Sequence, residues 1–185
     1  MKLLTILALL IVSFECNAQT IKQIFQTLPD TILPSLTKND RLDLIDLFEN
    51  NMQNEVTNQL KGKSRMTHLT TNLTKIRLSE LSEVQFCLLP TTTSYLICFV
   101  HSVKTDAWDS SIRFYNPDWT PATNILSLSS IGHTAMTFLH YDFTDDTTLA
   151  VSTSELRKAD SGKISLTQDG VTTIKWDASQ SRFAP

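Results

Sequence analysis

Three hydrophobic patterns follow one another along the chain. The first is an almost unbroken apolar run from Leu3 to Phe14, behind the positive Lys2 and closed by Glu15. A positive start, a short apolar stretch, and Cys16 and Ala18 as small residues before Gln19 predict a secretory signal cut after Ala18. Residues 19–185 are then the mature chain, of a length that suits one domain. The run falls short of the roughly 18 apolar residues that a membrane span needs. Acylation of Cys16, as in a lipoprotein, fits less well, because the bulky Phe14 and charged Glu15 stand where small residues belong.

The second pattern is helical. Ile21, Ile24, Phe25 and Leu28 fall at i, i+3, i+4 and i+7, behind Thr20 as a capping residue. Pro29 and Pro34 end that helix and stiffen the link after it. Thr37 with Asp40 three residues on predicts a capped second helix. Its expected apolar side is Leu42, Ile45, Phe48 and Met52, widened by Leu44 and Leu47, with Asp40 and Asp43 near the positive end of the helix dipole.

From Glu55 onward the pattern becomes threonine-rich and alternating, which suits pleated, half-buried strands. Strands are expected near residues 56–60, 65–70, 75–79, 84–89, 95–104 and 111–115, and again near 149–152, 163–167 and 171–176. Asn116-Pro117-Asp118 predicts a turn. Residues 121–144, which include Gly132-His133, read as a short helix or a long loop. An even loop centred on Thr92-Thr93 would set Phe86 opposite Phe99, Cys87 opposite Cys98 and Leu88 opposite Ile97. Both faces of that hairpin are apolar, so it should be covered on both sides. A second hairpin is expected at Gln168-Asp169-Gly170, where a three-residue loop gathers Ile164, Leu166, Thr172, Ile174 and Trp176 on one face. The pattern as a whole predicts an α+β fold, with two N-terminal helices packed on a largely antiparallel, meandering sheet.

Composition narrows the chemistry. Sixteen Lys and Arg against nineteen Asp and Glu give a net charge of −3, with no basic run, so nucleic acid and anionic membrane surfaces are not suggested. Four glycines (Gly62, Gly132, Gly162 and Gly170) make no phosphate-cradling loop, and nothing in the chain calls for a cofactor.

His140, Asp142, Asp145 and Asp146 form the one local group of metal-ligand types, although their spacing matches no calcium loop. The bland reading of that group is an exposed acidic turn. Cys87 and Cys98 remain after signal removal; export would allow a disulfide between them, and burial would leave two free thiols. No Gly-x-Ser-x-Gly elbow or His-Glu-x-x-His motif is present. Trp119, Tyr115 and Trp108 are candidates for an aromatic binding surface, although large aromatics more often fill cores.

Leu36-Thr37-Lys38-Asn39-Asp40-Arg41-Leu42-Asp43-Leu44-Ile45-Asp46 opens a set of segments that recur in one family. Residues 55–60, 76–80, 97–103 (Ile-Cys-Phe-Val-His-Ser-Val) and 112–119 (Ile-Arg-Phe-Tyr-Asn-Pro-Asp-Trp) continue it. On these the chain resembles the exported Bacteroidales proteins grouped as domain-of-unknown-function family 3256. The resemblance implies a Gram-negative envelope setting and a compact helix-plus-sheet domain, and it supplies no catalytic residue. The leading expectation is a non-catalytic exported binding protein, periplasmic or secreted, that engages an envelope protein or component. The alternatives are a small metal-dependent or hydrolytic enzyme using His140 and Asp142, Asp145 and Asp146, and a structural envelope component.

Overall fold

The computed structural model describes residues 19–126, 137–158 and 164–184. The apolar leader with Cys16, and the Gly132-His133 pair, lie outside the described residues. Among the described residues two helices come first, α1 (Ile21–Thr27) and α2 (Lys38–Glu49). Each opens with a reciprocal capping box, Thr20 with Gln23 and Thr37 with Asp40, which satisfies N–H groups the helix itself leaves free.

Helix α1 buries Ile21, Ile24 and Phe25, as its spacing predicts. Helix α2 buries only part of the predicted stripe, with Leu44 and Ile45 inside and Phe48 packed against the core. Arg41 is buried as well, whereas Leu42 is 37% and Met52 59% exposed. The inward turn of Arg41 accounts for the difference. Its guanidinium donates to the Leu36 carbonyl at 2.7 Å and the Leu28 carbonyl at 2.8 Å, and it meets Asp30 at 3.0 Å. A buried charge is tolerated only when hydrogen-bonded, and here it ties down the proline-bearing link between the helices.

The strands are β1 (Glu55–Thr57), β2 (Lys63–Leu69), β3 (Leu73–Ser79), β4 (Ser82–Pro90), β5 (Tyr95–Lys104), β6 (Trp108–Tyr115) and β7 (Pro121–Ala122). After them come β8 (Thr137–Phe143), β9 (Thr148–Lys158), β10 (Ile164–Asp177) and β11 (Arg182–Ala184). Strands β1 to β7 form one antiparallel meander in chain order, and a separate sheet runs β11-β10-β9-β8. The α+β class and the antiparallel character hold. The single sheet that was expected is two.

The register predicted for β4 and β5 is the one observed, with Phe86 opposite Phe99, Cys87 opposite Cys98 and Leu88 opposite Ile97. One face of this hairpin sends Val84, Phe86, Leu88, Ile97 and Phe99 into a core shared with α1 and α2. The other sends Cys87, Leu89, Cys98 and Val100 against Leu139, Tyr141, Phe143 and Val151 of the second sheet. Burying each large apolar side chain stabilises by roughly 1.5–3 kcal/mol, so the two-faced hairpin is the spine of the fold.

Two further expectations change. The 121–144 stretch contains strands β7 and β8, and β8 buries Leu139, Tyr141 and Phe143 in alternation. Gln168-Asp169-Gly170 is not a turn. Strand β10 continues through it with a bulge, because β9 is long enough to pair with both halves. Of the face predicted there, Ile174 and Trp176 are buried while Leu166 is exposed.

Strand β8 is an edge of its sheet, and side chains of the first sheet satisfy its outer backbone. Gln85 accepts from the Phe143 N–H at 3.0 Å and donates to the Tyr141 carbonyl at 3.2 Å. Asp109 accepts from the Leu139 N–H at 3.2 Å, and Ser110 from the Tyr141 N–H at 3.1 Å. This covers an edge that would otherwise invite pairing with another chain.

Candidate functional site

The sequence-level metal candidates each find a different partner. His140 stacks on Trp108, with ring centroids 5.5 Å apart, and meets Glu83 at 3.5 Å. That hydrogen bond is the largest cause holding the Glu83 carboxyl below its usual range, against partial burial that raises it. Asp142 pairs with Lys75. Asp145 accepts from the Thr147 N–H and hydroxyl at 2.8 and 2.9 Å, which fixes the β8–β9 turn. Asp146 accepts from Thr70 and Asn72, both at 3.2 Å, and ties that turn to the first sheet. Among the described residues no group of three or more His, Cys, Asp or Glu side chains is placed to hold a metal ion.

The aromatic candidates do not share a surface. Tyr115 is buried and Trp119 leans on it with centroids 5.6 Å apart, at one end of β6. Trp108 lies at the other end, beside Lys104 as well as His140. Cys87 and Cys98 are free and buried. Burial is the main cause pushing both thiols well above their ordinary range, so neither is poised as a nucleophile.

What sequence reasoning missed lies on the helix side of the first sheet. The helices cover only part of that face. Where the α1–α2 link, the β1–β2 turn and the open ends of β4, β5 and β6 meet, they leave a groove of about 630 Å3. Its walls are largely apolar, with Ile32, Leu33 and Pro34 from the link, Phe99 and Val103 from β5, and Leu60 from the turn. Leu60 is 80% and Val103 45% exposed, so apolar side chains reach the rim of the groove.

Local structure explains how each wall is held. The buried Asn58 organises the β1–β2 turn: its Oδ1 accepts from the Leu60 and Gly62 N–H groups, both at 3.0 Å. Its Nδ2 donates to Ser64 at 2.8 Å and to the Leu78 carbonyl at 2.9 Å. Lys61 takes the left-handed φ of 63° that lets the turn close. Leu60 is thereby presented at the rim.

Strands β4, β5 and β6 supply Ser82, His101, Ser111 and Arg113 to the groove, while Thr31, Ser35, Asn58 and Ser79 add polar groups from its other walls. Ser82 Oγ lies 3.0 Å from His101 Nε2, and Arg113 stands on the neighbouring strand, directly opposite Phe99. Burial first, and the Arg113 charge second, hold His101 below its ordinary range, which favours the neutral imidazole. The Ser82–His101 contact has nucleophile-and-base geometry, yet no described carboxylate bonds to His101 to steady the charged form that catalysis requires. Among the described residues no acidic side chain lines the groove. By contrast, Asp40, Asp43, Asp46 and Glu55 border a separate depression beside α2.

Fold and groove describe a small α+β protein of antiparallel sheets with an open apolar recess on a helix-covered face. Residues 13–127 match the model of the family described as protein of unknown function (DUF3256), and the chain belongs to that family. The match takes in both helices and the whole first sheet, and so all of the groove. A solved structure described as a domain of an uncharacterized protein from Porphyromonas gingivalis W83 is similar at 20% identity and a TM-score of 0.69. The similarity covers 89% of this chain and 96% of that one, so the shared fold extends past residue 127 into the second sheet. No curated protein matches the chain.

Proposed function

We propose that this chain is a non-catalytic binding module of the cell envelope and that the groove on the first sheet receives an apolar envelope component. The observation that carries this reading is the recess itself. Its volume lies within the range of small-molecule sites, and its mainly apolar walls are punctuated by polar side chains. The export that the Lys2-to-Ala18 pattern predicts would place such a module among lipids and hydrophobic envelope material. The metal-dependent alternative has less behind it, since His140, Asp142, Asp145 and Asp146 are each engaged elsewhere.

The test is titration of the mature chain with N-phenyl-1-naphthylamine, a neutral dye that brightens in apolar surroundings. The dye should bind saturably. Val103→Glu sets a charge in the groove at a partly exposed position, and it should weaken binding by about tenfold or more while leaving the urea midpoint unchanged. Saturable binding that Val103→Glu leaves intact would place the dye elsewhere and remove the groove from the proposal.

A further inference from the structure

We infer that the natural occupant of the groove is a monoanionic amphiphile, an acyl chain ending in one acidic head, with Arg113 as the counter-charge for that head. The inference rests on the binding reading above and specifies its ligand. Among the described residues Arg113 is the one formally charged side chain on the groove wall, and no described carboxylate shares that wall. In a chain with nineteen acidic residues and a net charge of −3, an acid-free wall around one arginine selects for negative charge.

No salt bridge engages Arg113 within the described residues, so its fork of N–H donors is open to a ligand. Its exposure keeps it hydrated until a ligand arrives, so no buried unpaired charge has to be sustained.

The neighbours of Arg113 complete the head site. His101 lies on the adjoining strand β5, two residues from Phe99, the partner of Arg113, with Ser82 of β4 on its far side at 3.0 Å, and a neutral imidazole so placed can share a hydrogen bond with an acidic head. Arg113 is paired with Phe99, two residues before His101 on the same strand, so its charge stands on the same face of the sheet as the imidazole. The acyl chain then runs toward Phe99, Leu33 and Ile32, with Leu60 and Val103 closing over it. A neutral apolar ligand would use the same walls and leave Arg113 without a partner.

The experiment displaces N-phenyl-1-naphthylamine from the mature chain with decanoate and, separately, with 1-decanol, both below their aggregation limits. Decanoate should compete at an about tenfold lower concentration than decanol, the contribution expected of one charge-assisted contact. Arg113→Gln should bring the two to near parity, and Arg113→Lys should restore most of the preference. Because the comparison of the two competitors is made on the unaltered chain, it does not depend on how the variants fold. Equal competition by decanoate and decanol on the unaltered chain would overturn the anionic ligand and leave the apolar groove standing. A decanoate preference that survives Arg113→Gln would overturn the role of Arg113. Absence of saturable dye binding would overturn both this inference and the reading beneath it.

Discussion

At the scale of single residues, the side chains that shape this protein are polar groups whose partners are backbone atoms. Arg41 is the clearest case, because its guanidinium holds the carbonyls of Leu28 and Leu36 while its acidic partner Asp30 lies in solvent with 73% of its side chain exposed. Removing Arg41 strands two buried carbonyls, whereas removing Asp30 leaves both bonds in place. Arg41→Met, which keeps the stem and removes the donors, should lower unfolding stability by about 2–4 kcal/mol in urea. Asp30→Ala should change it by no more than about 1 kcal/mol. Equal losses would mean that the ion pair, and not the tethering of the helix link, is what Arg41 contributes. Little of this was legible beforehand. Arg41 in the sequence is one charged residue on a helix whose leucines mark a plausible stripe elsewhere, and only the carbonyls of a distant link turn it inward. Asn58 and Arg113 were hidden in the same way: an asparagine before a turn and an arginine in a strand carry no signal until the fold places them beside Leu60 and Phe99.

At the scale of elements, patterns that depend on neighbouring residues read well and patterns that depend on a distant partner did not. The cap at Thr20 and the capping box at Thr37 are local hydrogen bonds, and both formed as their sequences indicate, with Gln23 completing a box at Thr20 as well. The β4–β5 register followed from a short loop and two apolar faces, and it also formed as expected. The Asp169-Gly170 pair misled because its turn chemistry is local while the outcome was decided by β9, whose length draws β10 straight through. Strand β8 was missed although Leu139, Tyr141 and Phe143 alternate plainly with His140 and Asp142; a strict search for period two would have found it. That strand is also where the two sheets are joined, since Gln85 bonds both the Phe143 N–H and the Tyr141 carbonyl. Gln85→Leu should therefore destabilise the chain by about 2–4 kcal/mol, the cost of two buried backbone groups left without partners. Amide exchange at Phe143 should accelerate more than at Phe86. Uniform acceleration at both would show that Gln85 supports the whole fold evenly and is no specific lock on β8.

At the scale of the whole molecule, the two sheets divide the work. The second sheet packs against Cys87, Leu89, Cys98 and Val100 and closes one face of the first, which leaves the opposite face to the helices. Because α1 and α2 cover only part of that face, the ends of β4, β5 and β6 remain open as the groove. The recess is thus a product of helix length and sheet width together, which is why no motif announced it. Membership of the DUF3256 family and the fold shared with the Porphyromonas gingivalis domain are consistent with this architecture. The most direct test is an amide chemical-shift map of the isotope-labelled mature chain as the dye is added. The account predicts the largest shifts along the groove, at Leu33, Leu60, His101, Val103 and Arg113, with Asp40 and Asp43 and the second-sheet strands little moved. Shifts centred on the β8–β9 turn or the acidic depression beside α2, with the groove unmoved, would contradict it.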